Sequence, residues 1–346
     1  MNFTNILIKW YSQNKRDLPW RNTENPYFIW LSEIILQQTR VNQGLSYYEK
    51  FITTFPTVSH LANANEESVL KLWQGLGYYS RARNLHYSAK YIVNELNGKF
   101  PSTYNDLLKL KGVGDYTASA IASICYNEPC AVVDGNVYRV LARYFGITTP
   151  INSSKGNKTF KNLAQELLDV DNPATFNQAI MEFGAIQCKP KSPNCSICPL
   201  QNSCLAYASN KIDVLPFKDK KVKIRNRFFN YLVVVNSNNE IILNQRKGKG
   251  IWENLYEFPL IETENEINIT TLIEMEEFHK MIIEKSEIIL YNKTPIIHKL
   301  SHQHLSVKFW IIKTEQRLKN STLISNFEQY PVPSLIHKFA ESYFNF

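Results

Sequence analysis

The stretch that decides the fold runs from Leu110 to Asn136 and contains the residues LKGVGDYTA (110–118) and AVVDGNV (131–137). Gly112 and Gly114 permit a turn too tight for side chains, between a short apolar helix and a second helix that begins near Asp115. The first N–H groups of the second helix lack partners within that helix. Its N-terminus is therefore a favourable binding site for an anion such as a DNA phosphate. The alternative is an ordinary turn between two helices, because short glycine motifs recur by chance.

A single carboxylate, Asp134, follows this turn at the end of an apolar run. Gly135 and Asn136 come next as cap and turn residues before a predicted helix over 137–145. Asp134 either only caps that helix, or faces a sugar held on the phosphate, or does both.

Together the two segments resemble the helix-hairpin-helix and catalytic-aspartate segment of the endonuclease III superfamily of DNA glycosylases. Within that superfamily they are most similar to the MutY-type adenine glycosylases. The resemblance implies that Asp134 is catalytic, that Tyr116 and Asn136 lie beside it, and that Gly112 and Gly114 contact DNA. Bifunctional relatives have a lysine in place of Tyr116 for Schiff-base chemistry, so we expect no efficient strand cleavage here. Asp115 departs from the family's usual basic residue and places a like charge near the expected phosphate.

An apolar helix is predicted from Pro26 to about Val41, and Glu33 lies in its middle. A carboxyl group desolvated there keeps its proton near neutral pH, as a general acid must, unless it turns to solvent or pairs with Arg40. SEIILQQT (32–39) resembles the family segment whose glutamate protonates adenine. The resemblance assigns base contacts to Gln37 and Gln38.

Two loops resemble other DNA-contacting parts of the family. LPWR (18–21) is similar to the signature in which Trp20 and Arg21 would line the adenine pocket, and otherwise reads as an anchoring loop. GLGYY (75–79) carries Leu76 and Tyr78, which would enter the duplex as a wedge. Its alternative is a helix C-cap.

Four cysteines stand within a short loop as C-x6-C-x2-C-x5-C, namely Cys188, Cys195, Cys198 and Cys204. Thiolates select zinc or iron–sulfur clusters, and one compact loop suits a [4Fe-4S] cluster better than the paired knuckles of zinc sites. The spacing also matches the cluster loop of the resembled family. Cys125 and Cys130 lie outside this loop and are predicted to be ordinary core or loop cysteines.

The formal charge of +8 on 346 residues suits a polyanionic partner. The positive excess lies in residues 1–227, whereas residues 228–346 are slightly negative. A short, polar N-terminus and the lack of a long apolar run predict a cytoplasmic protein without membrane contact. The resemblance further implies a nucleoid-associated protein of bacterial type. We expect a monomer and leave open a contact with a sliding clamp.

The expected fold is mainly α: a helix-hairpin-helix glycosylase domain with an iron–sulfur loop, followed by an α+β Nudix-like domain. The predicted boundaries are a catalytic region at 1–210, a basic linker at 211–227 and the Nudix-like domain at 228–346. Within the catalytic region, residues 22–132 would form the helical barrel. Residues 1–21 and 133–210 would together form the cluster domain. In the last, we predict a hairpin over 228–245, a helix at 270–284, strands at 286–291 and 305–312, and a helix after Pro333.

The C-terminal domain resembles the part of MutY proteins that senses 8-oxoguanine. Ser301 and His302 fall where the family has a Phe-Ser-His loop, while Leu300 replaces the phenylalanine. We therefore expect a monofunctional glycosylase that flips out and excises adenine opposite 8-oxoguanine or guanine in double-stranded DNA. The alternatives are a bifunctional pyrimidine glycosylase with lyase activity and a non-catalytic iron–sulfur protein that binds DNA.

Overall fold

Helices dominate the chain, in accordance with the predicted mainly-α class: 47% of it is helix and 14% strand. The computed structural model describes residues 2–219, 224–280 and 286–345. Packing divides the chain into two compact units. Unit 1 comprises residues 1–63 and 84–220, and unit 2 comprises residues 64–83 and 221–346. The domain boundaries predicted from the sequence stay a prediction.

The α-helices before residue 210 are α1 Phe3–Asn14, α2 Pro26–Leu36, α3 Val41–Thr54, α4 Val58–Asn63, α5 Glu66–Leu72, α6 Ser80–Glu95, α7 Tyr104–Leu107, α8 Asp115–Tyr126, α9 Gly135–Tyr144, α10 Ser154–Leu167, α11 Pro173–Glu182 and α12 Leu205–Ala208. Five of the helices that belong wholly to unit 1 begin at a side-chain cap. Thr103, for example, caps α7 by accepting from Asp106 N–H. Among the described residues, no helix has both the length and the apolar character needed to cross a membrane.

The predicted helix over 26–41 is too long. Helix α2 ends at Leu36, and α3 begins only at Val41. Gln38 has a positive φ of 57°, which is incompatible with a right-handed helix. A periodic apolar pattern does not reveal such a break, because Val41 continues the pattern on the far side of the turn.

One core of unit 1 is built by α1, α9, α10, α11 and the strand-like residues 131–133. Its fully buried aromatic side chains include Phe160, Phe176 and Phe183. This core holds the start of α9, and therefore Asp134, in a fixed place.

Unit 2 contains a seven-stranded sheet, with the strand order β6-β8-β1-β2-β9, β5 beside β1 and β7 beside β8. The strands are β1 Arg225–Asn236, β2 Glu240–Ile242, β3 Asn244–Gln245, β4 Tyr256–Glu257, β5 Leu260–Thr263, β6 Glu287–Leu290, β7 Ile296–Lys299, β8 Gln303–Thr314 and β9 Ser321–Leu323. The long strands β1 and β8 are parallel, from Arg225 opposite Gln303 to Asn236 opposite Thr314. The predicted hairpin is confirmed for β1 and β2, which are antiparallel and joined at Asn236–Asn239. Its predicted extension to Gln245 is wrong, because β3 pairs with β4 in a separate two-stranded sheet.

The helices of this sheet domain are α13 Ile269–Ile273, α14 Glu276–His279 and α15 Ser334–Phe344. The single helix predicted at 270–284 is wrong, because the chain forms two short helices that break at Glu274 and Met275, while residues 281–284 lie outside the described part. The basic segment 211–227 is described except for 220–223, and its last three residues belong to β1.

Candidate active site

A cavity of about 180 Å³ in unit 1 is lined by both predicted catalytic carboxyl groups, Glu33 and Asp134. A single water molecule needs only about 10–15 Å³ of such space, so the cavity accommodates a much larger group. Glu33 comes from the middle of α2, and Asp134 stands at the start of α9. Trp20, Arg21, Tyr116 and Asn136 line the same cavity.

Glu33 is a buried carboxyl group, and its side chain faces the cavity rather than solvent. Burial raises its pKa to about 7, and the negative charge of Asp134 adds to this effect. A hydrogen bond with Tyr116 and the positive charge of Arg21 act in the opposite direction. Glu33 therefore carries its proton in a large fraction of molecules at neutral pH.

Asp134 both caps a helix and faces the cavity, which were the two roles that the sequence left open. Its Oδ1 accepts from the N–H groups of Asn136 (2.9 Å) and Val137 (2.8 Å), and its Oδ2 accepts from Asn136 Nδ2 (2.7 Å). Burial holds the pKa of Asp134 above its ordinary value, although these three hydrogen bonds and the charge of Arg139 act in the opposite direction. Both carboxyl oxygens accept from N–H donors, an arrangement that favours the ionised form.

Tyr116 lies between the two carboxyl groups. Its hydroxyl forms a hydrogen bond with Glu33 and lies 3.3 Å from Met181 Sδ. Burial and the two neighbouring carboxyl groups raise its pKa well above the ordinary value, so the phenol is neutral. It carries no amine that could attack a sugar carbon.

The loop at the end of α1 supplies one wall. Trp20 is buried and packs edge-to-face on Tyr48 with ring centroids 5.2 Å apart. Arg16, Gln178 and Glu182 are among the lining residues that the sequence interpretation missed. Glu182 binds both Arg16 and Arg21, with a shortest N···O distance of 2.6 Å in each pair. These partners stand more than 160 positions apart, and nothing in the local sequence around either end signals the pairing.

Gln37 and Gln38 lie in the turn after α2 and do not line the cavity, although their neighbours Leu36 and Thr39 do. Gln37 Nε2 donates to Thr117 Oγ1 at 3.3 Å, and Gln38 is exposed. Their predicted contacts with an extruded base stay a prediction.

The glycine turn before α8 has the predicted form. Gly112 has φ of 84°, and a Cβ there would lie 2.8 Å from Asn84 Cβ, so only glycine fits. Gly114 is the N-cap of α8 and provides no side-chain cap, which leaves the first N–H groups of the helix to other partners. The negative charge of Asp115, which the sequence places near the expected phosphate, has a local counter-ion. Lys161 Nζ lies 3.0 Å from Asp115 Oδ1 and offsets that charge.

The four cysteines of the predicted cluster loop are all half-buried and close enough for their charges to interact. Burial raises the pKa of the Cys198 thiol to about 11, and the other three thiols add to this effect. Arg143 donates to Cys188 Sγ at 3.4 Å and to Lys189 O at 2.7 Å. Four sulfur donors are the ligands that an iron–sulfur cluster requires. The buried cation Arg143 beside them suits the negative charge that thiolate ligands bring. No group of three or more His, Cys, Asp or Glu in the described ranges is arranged around a single metal ion.

Arg139 connects the cluster loop with the start of α9. Its guanidinium donates to Cys188 O (2.7 Å), to Gly184 O (2.5 Å) and to Asn136 Oδ1 (2.8 Å). Asn136 in turn donates to Asp134. A continuous set of hydrogen bonds therefore runs from the first cluster cysteine to the predicted catalytic aspartate.

The remaining predicted site residues belong to unit 2. Ser301 and His302 lie exposed in the turn between β7 and β8, and the hydroxyls of Tyr78 and Ser301 form a hydrogen bond. Tyr78 is 47% exposed, whereas Leu76 is only 7% exposed. Within unit 2, a hydrogen bond thus joins the serine of the predicted sensing loop to the tyrosine of the predicted wedge loop.

Comparison with protein-family models finds three matches along the chain. Residues 31–168 match the HhH-GPD superfamily of base excision DNA repair proteins, and residues 188–204 match the iron-sulfur binding domain of endonuclease III. Residues 230–342 match the NUDIX domain. The predicted helix-hairpin-helix region, cluster loop with its [4Fe-4S] cofactor, and Nudix-like region are thereby confirmed.

Among curated proteins, an adenine DNA glycosylase of Buchnera aphidicola subsp. Baizongia pistaciae is 36% identical over 90% of this chain and 86% of its own. The adenine DNA glycosylase of Mus musculus is 46% identical over 59% of this chain and 42% of its own. Among solved structures, a thermostable thymine-DNA glycosylase is 30% identical, with a TM-score of 0.56, over 60% of this chain and 95% of that one.

We expect Glu33→Gln to stabilise the protein in a pH-dependent way. Because the carboxyl pKa rises from 4.5 to about 7 on folding, wild-type stability is highest below the lower value and falls as pH rises through the higher one. Glutamine has no charge to bury, so the variant should exceed wild type by about 3 kcal/mol above the folded-state pKa and by little in acid. Thermal unfolding across pH measures this difference. The exposed Glu49→Gln is the matched control, and a pH-independent difference would contradict the explanation.

We expect Arg139→Gln to weaken the connection between the cluster loop and α9. The change leaves buried carbonyl groups without their charged donor, which should lower the free energy of unfolding by about 3 kcal/mol. Denaturant unfolding measures the free energy of unfolding. The visible absorbance, recorded in the same experiment, reports on the cluster. Arg40→Gln, at an exposed arginine, is the control. Unchanged stability and absorbance would show that the hydrogen-bond set is dispensable.

Proposed function

Because the chain belongs to the adenine DNA glycosylase family, we propose that it excises adenine mispaired with 8-oxoguanine or guanine in duplex DNA. The observation that carries this proposal is the cavity shared by Glu33 and Asp134. One carboxyl group there favours the protonated form and the other is held by donors that favour the anion. An N-glycosidic bond needs both, an acid for the departing base and an anion for the sugar.

The first step acts on the base. The adenine nucleotide rotates out of the duplex, because its glycosidic bond is not accessible within the base stack. Glu33 donates its proton to N7 of the base. The C1′–N9 bond then breaks and its electron pair goes to the purine ring, so that the base leaves as neutral adenine.

The second step acts on the sugar. Loss of the base leaves an oxocarbenium-like cation at C1′, and ionised Asp134 stabilises it electrostatically or bonds to it transiently. A water molecule adds to C1′, displaces Asp134 where that bond has formed, and passes its proton to the Glu33 carboxylate left by the first step, which yields an abasic site. The three donors on Asp134 keep its carboxylate in one orientation throughout.

Tyr116 supports a monofunctional enzyme. A glycosylase that also cleaves the strand needs an amine to form a Schiff base with C1′. The neutral phenol of Tyr116 forms a hydrogen bond with Glu33 instead. Its place between the carboxyl groups suits it to orient the proton donor.

The cysteines Cys188, Cys195, Cys198 and Cys204 would hold the [4Fe-4S] cluster, whose iron–sulfur bonds cross-link the loop when it is bound. The loop also carries the exposed Lys189 and Lys191. These side chains support a role of the loop in binding DNA phosphates. Arg139 and Arg143 join the loop to α9 and so keep this basic surface in register with Asp134.

Discrimination of the opposing base is proposed for the turn at Ser301 and His302. 8-Oxoguanine differs from guanine by an N7–H donor and a C8 carbonyl acceptor, and a serine hydroxyl can pair with either. Both side chains are exposed, and Tyr78 orients the serine hydroxyl. Leu300 cannot stack as the family's phenylalanine does, so polar contacts carry the selectivity.

We expect Glu33→Gln to abolish adenine release while the protein still binds the duplex. The amide keeps the shape of the side chain but has no acidic proton. Single-turnover release of adenine from a duplex with an 8-oxoguanine:adenine pair, with binding measured in parallel, tests this. Unchanged release would end the proposed role of Glu33.

Borohydride added to the wild-type protein on this duplex and on one that carries an oxidised pyrimidine distinguishes the alternatives, since a Schiff base forms only where the enzyme removes a base. A bifunctional pyrimidine glycosylase would be trapped covalently on DNA, and Tyr116 predicts no trapping. A protein that binds the duplex but releases no base would be the non-catalytic alternative.

We expect Ser301→Ala to reduce the preference for 8-oxoguanine over guanine by about tenfold, the value of one hydrogen bond. Excision rates on two duplexes that differ only in the opposing base give the preference. Ser237→Ala, in the exposed β1–β2 turn, is the control for a serine substitution in the same unit. An unchanged ratio would place the discrimination elsewhere.

A further inference from the structure

Glu182 is a buried carboxylate at the cavity wall that the proposed reaction does not use. It accepts five hydrogen bonds, from Arg16 N (3.0 Å), Nε (2.7 Å) and Nη2 (2.6 Å) and from Arg21 Nη1 (3.1 Å) and Nη2 (2.6 Å). Burial alone would raise its pKa, but the hydrogen bonds from both arginines outweigh burial and hold the pKa at about 2. Glu182 is therefore a permanent anion.

The backbone is shaped to place this anion. Helix α11 ends at Glu182, and the next five residues, Phe183–Gln187, form a π-helical turn. Single π turns are frequent at functional sites. In this turn Gly184 packs so closely on α9 that an added Cβ would lie 2.6 Å from Asn136 Cβ. The same turn thus fixes both the anion and the start of α9.

Several charged or titratable groups face the proton donor Glu33. They are Tyr116 and Cys125 from α8, Asp134 at the start of α9 and Arg21 from the loop after α1. Arg21 is the cation among them, and a cation nearby favours loss of the proton from Glu33. Glu182 binds Arg21 directly and offsets this charge.

We propose that Glu182 is a positioning residue that anchors Arg21 at the cavity wall and neutralises it, so that Glu33 keeps its proton at neutral pH. This inference rests on the proposed function, in which protonated Glu33 is the acid. A purely structural ion pair would stabilise the loop, but it would not change where on the pH scale Glu33 loses its proton.

The test uses the full-length protein with its cluster and the variant Glu182→Gln, which keeps the size of the side chain but removes its charge. Uncompensated Arg21 favours ionised Glu33, so the alkaline limb of the single-turnover rate should move to lower pH by about one pH unit. The rate in acid should change much less than the rate in alkali. The double variant Arg21→Gln/Glu182→Gln should bring the limb back, because the cation is also gone.

Arg16→Gln is the matched control, since it removes two of the five hydrogen bonds to Glu182 but leaves the ion pair between Glu182 and Arg21. The backbone N–H of residue 16 still donates to Glu182 in this variant. The alkaline limb should not move to lower pH. If Glu182→Gln does not fold, Arg21→Gln alone should move the limb to higher pH.

A second readout does not depend on activity. Carbon NMR of protein labelled at the glutamate carboxyl groups, with the Glu33 signal assigned by its loss in Glu33→Gln, gives the pKa of Glu33 directly. It should fall in Glu182→Gln and recover in the double variant. An identical Glu33 titration in wild type and Glu182→Gln overturns the inference, whereas wild type that releases no adenine overturns the proposed function and leaves this titration as the test of Glu182.

Discussion

Burying a carboxyl group costs free energy unless it keeps its proton or receives donors, and this constraint organises the cavity of unit 1. Three carboxyl groups line that cavity, and each meets the constraint differently. Glu33 keeps its proton in an apolar helix, Asp134 accepts from the first N–H groups of α9, and Glu182 pairs with two arginines. In the proposed mechanism these three solutions supply an acid, an oriented anion and a permanent counter-ion within one pocket.

The cluster loop extends this organisation to the far side of α9. Arg139 and Arg143 are both buried and both donate to backbone carbonyls of the loop. A guanidinium can satisfy several acceptors at once, which a hydrophobic contact cannot do with comparable directionality. The loop and the aspartate therefore form one polar framework, to which a bound [4Fe-4S] cluster would add covalent constraint through its iron–sulfur bonds.

Sequence motifs predicted those features of the site that depend on local chemistry. The glycine turn, the cap at Asp134 and the cysteine spacing each depend on a few consecutive residues, and the structure realises all three locally. The break of α2 at Gln38 was missed because apolar periodicity continues across it. The pairing of Glu182 with Arg16 and Arg21 was missed because it joins distant segments and each partner alone reads as a surface charge. The functional roles of the site residues stay predictions.

The path of the chain between the units has a consequence for how the protein can be dissected. Residues 64–83 interrupt unit 1 in the sequence but pack with the C-terminal sheet, where Tyr79 donates to Val332 O and Gln74 accepts from Val332 N. Excision of residues 221–346 would therefore not be a clean removal of one module. It would strip an internal segment of packing partners, including the backbone groups of Val332 to which Tyr79 and Gln74 are hydrogen-bonded. A protein shortened in this way loses both the sheet and the packing of residues 64–83. If it no longer discriminated 8-oxoguanine from guanine, that loss could not be assigned to the sheet alone.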